Sequence, residues 1–255
     1  MNNLLIKVSA LIAMSIFSIG VFSDVNDGID ISMAVMFDYS VNEGNTQNSL
    51  DNSPEFDSEL RRARVNFKHK LNKDWNAKLQ ITFEEEDDGS EVGDAYVRYS
   101  GWKSLKLTMG KFKEPFGLEN MTSTKNTTFL ERSMASSAFS PDKNKGLMLS
   151  GSPGSTSWAF ALIDLEAEDK EHAPYAMSAR GSWAAISSTD QTLHFGLSGS
   201  LRMLDGEEFE VDERAEIHSL KKVVESGSIE TNKLLLTAVD FSWVGGPMSL
   251  QSEYM

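Results

Sequence analysis

The sequence predicts an all-β fold, an antiparallel transmembrane β-barrel, on three observations. Apolar and polar residues alternate strictly in segments of about ten residues, the period of strands with one apolar and one wet face. The connections between those segments alternate between short turns and long loops, the arrangement of outer-membrane barrels. After the first 23 residues no stretch approaches the eighteen or so uninterrupted apolar residues of a spanning helix.

The elements follow in chain order. Residues 1–23 read as a secretory signal peptide: Lys7 is the positive head, Val8 to Phe22 the apolar run, and Val21-Phe22-Ser23 the cleavage pattern before Asp24. Strands are then expected at 29–40, 58–71, 75–83, 92–100, 104–110, 145–151, 156–164, 175–185, 192–203, 233–244 and 248–255. Their alternation is plainest where Ala63, Val65 and Phe67 interleave with Arg62, Arg64, Asn66 and Lys68. It recurs where Leu79, Ile81 and Phe83 interleave with Lys78, Gln80 and Thr82. Asn72-Lys73-Asp74, Gly101-Trp102-Lys103, Ser152-Pro153-Gly154-Ser155, 187–191 and Gly245-Gly246-Pro247 have turn chemistry and form the short set of connections. The long set is 41–57, 84–91, 111–144, 165–174 and 204–232, and falls on the extracellular side if the N-terminus is periplasmic. Trp75, Trp158, Trp183 and Trp243 stand near strand ends, as aromatic girdles do. The chain stops at Met255 within an outward-running strand, so residues 24–255 are expected to be a partial barrel, incomplete at the C-terminus.

The chain is acidic, with a formal net charge of -14 that disfavours nucleic acid as a partner. It has no Cys, which leans towards a bacterial envelope protein stabilised without disulfides. Against that acidic background the wet strand faces are mainly cationic. The same parity sets Arg62, Arg64, Lys68, Lys70, Lys78, Arg98, Lys106, Arg180 and Arg202 inward, with Asp94 as the clearest inward acid. A ladder of Arg and Lys offers an oxyanion several moderate sites rather than one deep one, so the pattern points to a pore that conducts anions. Charged residues facing lipid at mid-depth would cost roughly 2–4 kcal/mol each, which favours the lumen for the set.

Signals for other chemistry are weak. Glu84-Glu-Glu-Asp-Asp88 suits either a divalent cation or a solvated turn meeting lipopolysaccharide through bridging cations. His69, His172, His194 and His218 have no metal-ligand spacing, and Ser219-Leu-Lys-Lys222 lacks the companion motifs of its nucleophile pattern. Neither catalysis nor a cofactor is expected.

Leu107-Thr-Met-Gly-Lys-Phe-Lys-Glu-Pro-Phe-Gly-Leu-Glu119, with Thr122-Ser-Thr-Lys125 and Thr128-Phe-Leu-Glu-Arg-Ser133, resembles the phosphate-selective porin O and P family. Arg61-Arg-Ala-Arg64, Asp94-Ala-Tyr-Val-Arg-Tyr99, Ser226-Gly-Ser-Ile229 and Gly246-Pro-Met-Ser-Leu-Gln-Ser-Glu-Tyr-Met255 extend the resemblance over nearly the whole mature chain. It implies a barrel of about sixteen strands in the Gram-negative outer membrane, assembled as a homotrimer, passing phosphate, polyphosphate or other small anions. It also implies that the third loop, 111–144, folds inward and narrows the pore. Lys111, Lys113, Lys125 and Arg132 would then meet the wall, Asp94 included, with Glu114, Glu119 and Glu131 orienting them. Asp164, Glu166, Glu168, Asp169 and Glu171 would oppose anions if their loop overhung the mouth. A general or cation-tolerant porin, or a secreted β-sandwich that binds acidic glycans through its cationic face, are the competing readings.

Overall fold

The structure, a computed structural model, describes residues 15–17, 23–25, 28–42, 55–84, 89–129, 131–166, 173–214 and 222–255. Strands dominate it. In chain order they are β1 (Ser15–Phe17), β2 (Ser23–Val25), β3 (Ile29–Asn42), β4 (Glu55–Lys70), β5 (Trp75–Glu84), β6 (Gly89–Tyr99) and β7 (Lys106–Lys113). Two short helices follow, α1 (Leu118–Met121) and α2 (Met134–Phe139). Then come β8 (Lys143–Gly151), β9 (Thr156–Asp164), β10 (Tyr175–Ser187), β11 (Gln191–Met203), β12 (Glu208–Phe209) and β13 (Asp212–Arg214). The last are β14 (Lys222–Glu225), β15 (Ile229–Glu230), β16 (Lys233–Gly245) and β17 (Met248–Tyr254). Strands β3 to β11, β16 and β17 stand where strands are expected from the alternation, and every described pairing is antiparallel.

Several boundaries differ, β3 running to Asn42 and β4 beginning at Glu55 among them. Strand β5 runs on to Glu84 and β6 begins at Gly89, so the expected long connection 84–91 contracts to 85–88, which lies outside the described residues. The ladder between β7 and β8 continues through Lys111↔Lys145 to Lys113↔Lys143, which leaves 114–142 as the third connection. Charged side chains do not end a strand whose backbone groups are still paired across the ladder.

The chain divides into two compact units, residues 1–69 with 79–92, and residues 70–78 with 93–255. In the first, β4 lies antiparallel to β3 with a register shift between Met36 and Asp38, and β1 and β2 also pair with β3. The expected signal peptide spans β1 and the start of β2, and its residues 1–14 and 18–22 lie outside the described residues.

In the second unit β6, β7, β8, β9, β10, β11, β16 and β17 form an antiparallel meander. Its connections alternate: 152–155, 188–190 and 246–247 are tight, whereas 114–142, 165–174 and 204–232 are long. The last of these carries its own hairpin, with β12 against β15 and β13 against β14. One strand face is apolar and exposed, and includes Leu147, Leu149, Trp158, Phe160, Leu162, Trp183, Phe195, Leu197, Leu235 and Val239. A contiguous apolar surface of that kind suits lipid and not water. Trp75, Tyr99 and Trp102 pack in a row at 5.0 Å between ring centroids, and Trp183, Phe195 and Phe241 form a second set.

The opposite face is not uniformly wet. Phe112, Met148, Ala161, Ile163, Leu165, Ala176 and Leu204 form a buried cluster there, with Tyr96, Ala159, Phe209 and Leu234 packed against it. Inward parity therefore carries apolar residues wherever other segments cover the face, because covered positions do not need to solvate.

Candidate functional site

The polar face is built by period 2. On β10 Ser178, Arg180 and Ser182 fall on it, and the register with β11 sets Ser200, Ser198 and Gly196 beside them. The next ladder adds Ala238 and Asp240 on β16, and the last brings Glu253 on β17 opposite Asp240.

Four cations of the expected ladder, Arg62, Lys78, Arg180 and Arg202, pair with carboxylates. Arg180 donates from Nη1 to Asp240 Oδ2 at 2.6 Å and from Nη2 to Oδ1 at 3.0 Å, a two-pronged pair. The pair lies flat across β11 because Gly196 sits beneath it; a Cβ there would be 2.3 Å from Asp240 Oδ2. His194 Nδ1 lies 3.5 Å from Asp240 Oδ1. Arg202 reaches Glu114 at 3.2 and 3.3 Å, and Lys78 reaches Asp94 at 2.5 Å. In the first unit Arg62 Nε donates to Glu84 Oε1 at 2.7 Å, and Arg61 lies 3.8 Å from the other oxygen. Arg64 is half-buried and Lys68 exposed on the same strand, and Gln80 donates to Asn66 at 2.6 Å.

Arg98 differs. Its Nε donates to Thr108 Oγ1 at 3.0 Å and its guanidinium lies 4.9 Å from the centroid of the Tyr96 ring. Among the described residues no carboxylate pairs with it, so its full charge stays on the polar face. Lys106, two residues before Thr108 on β7, is exposed.

The third connection lies over this face. Glu114 is fully buried, accepting from Ser178 Oγ at 2.5 Å and Asn144 Nδ2 at 2.9 Å besides Arg202. Pro115 and Phe116 are buried after it. Gly117 then takes φ 67 and donates its N–H to Ser198 Oγ at 3.0 Å, the hydroxyl that also accepts from Arg180. The N–H groups of Leu118 and Glu119 donate to the two oxygens of Glu253 at 2.8 and 3.0 Å. From Glu114 over β10 to Glu119 at Glu253 the segment crosses three interstrand steps, about 14 Å.

Of the residues expected to narrow the passage, Lys111 lies within β7 on the face of Leu107 and Met109. Lys113 ends that strand, donating from Nζ to Asn120 O at 2.9 Å. Arg132 donates to the carbonyls of Glu119 and Thr122, each at 3.2 Å, and so folds the connection on itself. Lys125 is exposed. Asp94 belongs to the wall, on β6, beside Lys78. Asp240, Glu253, Ser178 and Ser198 were not among the expected site residues. Their inward parity on strands already identified was the available signal, since an acid on such a face needs a cation or N–H donors. Of the acidic loop, Asp164 and Glu166 are described, with Lys145 paired to Glu166 at 2.5 Å; residues 167–172 lie outside the described residues.

The sequence profile of the family described as phosphate-selective porin O and P matches residues 29–255. Porin O of Pseudomonas aeruginosa is 24% identical over 225 residues, which covers 77% of this chain and 51% of that protein. The chain thus spans about half the length of the curated relative it matches. An antiparallel strand wall with an apolar exposed face agrees with a family of Gram-negative outer-membrane channels. The chain belongs to the phosphate-selective porin O and P family.

Proposed function

We propose that the chain forms wall and constriction of an outer-membrane porin through which small anions, phosphate and polyphosphate among them, diffuse passively. Arg98 carries this reading. Its Nη groups remain to meet an oxyanion while Thr108 and Tyr96 hold the guanidinium in place. An arriving anion exchanges part of its hydration for such donors, and moderate contacts let it leave again. Segment 114–142 sets the bore, and Lys68, Lys106 and Lys125 add exposed positive charge along the route. Assembly as a homotrimer in outer-membrane lipid and lipopolysaccharide belongs to the same proposal. No residue is given a catalytic role.

A cation-tolerant porin is the second reading, favoured by the carboxylates that neutralise Arg62, Lys78, Arg180 and Arg202. The zero-current potential of the protein in a planar bilayer under a KCl gradient separates the two. Anion preference, with the chloride current blocked by added phosphate, is the expected result. Cation preference would mean that acidic side chains set the field and would remove the phosphate assignment. Arg98→Gln should lower the anion-to-cation permeability ratio about fourfold. That factor corresponds to about 0.8 kcal/mol, one charge acting over 5 Å in water.

A further inference from the structure

The contacts that hold the third connection to the strand face are unequal. At one end Glu114 is a fixed foot. Its carboxylate is fully buried among Ser178, Asn144 and Arg202, and its N–H donates to Asp142 O at 3.2 Å. The returning end is tied close by, since Asn120 Nδ2 donates to Pro141 O at 2.9 Å. Asn120 lies in α1, and its carbonyl also accepts from Lys113 Nζ, but the first residues of that helix, the part that reaches farthest across the strands, are held differently. One half-exposed side chain, Glu253, grips both Leu118 and Glu119 through their N–H groups. Pro115, Phe116 and Gly117 lie between foot and grip, and the left-handed bend falls at Gly117. Its φ of 67 is the left-handed region that glycine tolerates, and a Cβ there would stand 2.6 Å from Glu253 Oε1.

We infer that Glu253 is a positioning residue that latches the third connection across the polar face, with Gly117 as the hinge and Glu114 as the pivot. This rests on the channel reading above. A carboxylate accepting two N–H groups is a charge-assisted contact. It is confined to one side chain, so its loss frees Leu118 and Glu119 without detaching the connection at Glu114 or at Asn120. The latch therefore sets the bore and its steadiness, whereas the sign of ion preference is left to the cations.

Glu253→Gln tests this. The amide keeps the size of the side chain but presents an NH2 donor where one of the two N–H groups needs an acceptor. Amide exchange at Leu118 and Glu119 in detergent micelles should accelerate about tenfold. Single-channel recordings should show larger and noisier open current with the parent's sign of ion preference, while heat-modifiable gel migration stays unchanged. Gly117→Ala, which leaves the carboxylate in place and crowds it, should reproduce both effects. Exchange rates and open current equal to the parent's in a folded Glu253→Gln would overturn the latch. If the parent passes no current, the channel reading falls, and exchange at the two amides still decides whether Glu253 holds the segment.

Discussion

A carboxylate on the polar face does more than neutralise its partner. Glu114 is fully buried, and Arg202 is mostly so, at 14% side-chain exposure. Glu114→Ala would leave a guanidinium without its counter-charge and Asn144 Nδ2 without its acceptor. Removing one member of such a pair costs about 3–5 kcal/mol, and urea unfolding in detergent should register it. Replacing both Glu114 and Arg202 by Leu should recover most of that loss, because the apolar cluster of Phe112, Met148 and Ala176 lies on the same face. Glycines divide by their surroundings. Gly110 has φ 123, and a Cβ on it would be 2.2 Å from Ala95 O, a backbone atom that cannot swing aside. Gly181 meets nothing within 4 Å. Gly110→Ala should therefore disrupt the β6–β7 ladder and destabilise by about 2 kcal/mol or more, while Gly181→Ala changes stability by about 0.5 kcal/mol at most. Thermal unfolding of the two variants side by side checks the contrast.

At the scale of elements, strands and connections obey different rules. The strands are fixed by their ladders, so β7 and β8 continue through Lys111, Lys113 and Lys143, three lysines that would otherwise read as loop. The connection 204–232 instead builds a local hairpin in which Lys222 pairs with Asp212. Burial pushes the Glu213 carboxyl above its ordinary range, with Asp212 adding to the shift and Lys222 opposing it. A carboxyl with a raised pKa in the folded hairpin favours that state while protonated. Its contribution is complete below the ordinary carboxylate pKa and is lost as pH rises through the folded value. Amide exchange in β13 and β14 should thus be slower at acid pH after correction for intrinsic rates, and Glu213→Gln should remove that dependence.

For the whole molecule, the decisive property is the contrast between its two strand faces. Leu197 sits mid-strand in β11 on the exposed apolar face, one residue from Ser198 on the polar face. Leu197→Arg should reduce stability in bilayers by roughly 2–4 kcal/mol, the mid-depth cost of a cation in lipid. Ser198→Ala loses only the hydroxyl that Gly117 and Arg180 share, and should leave insertion intact. Folding into vesicles, followed by gel migration, measures both. Arg62→Glu combined with Arg64→Glu should reduce anion preference without affecting assembly, because both positions share the polar face of β4. An unchanged reversal potential would put β4 off the ion path.

Period 2 made the strands legible: each alternating segment from Ile29 to Tyr254 forms a strand, and the parity of Arg98, Arg180 and Arg202 was readable residue by residue. Phe112, Met148 and Ile163 were not readable as inward, because alternation alone assigns apolar side chains to lipid. Only covering segments make an apolar inward face favourable. The same limit hid the partners. Arg180 and Asp240 are sixty residues apart in sequence, and Leu118 and Glu253 are 135 apart. Local pattern specifies the direction in which a side chain points. The tertiary arrangement decides what waits there, since pairing across strands depends on register and on the path of a connection that no local period encodes.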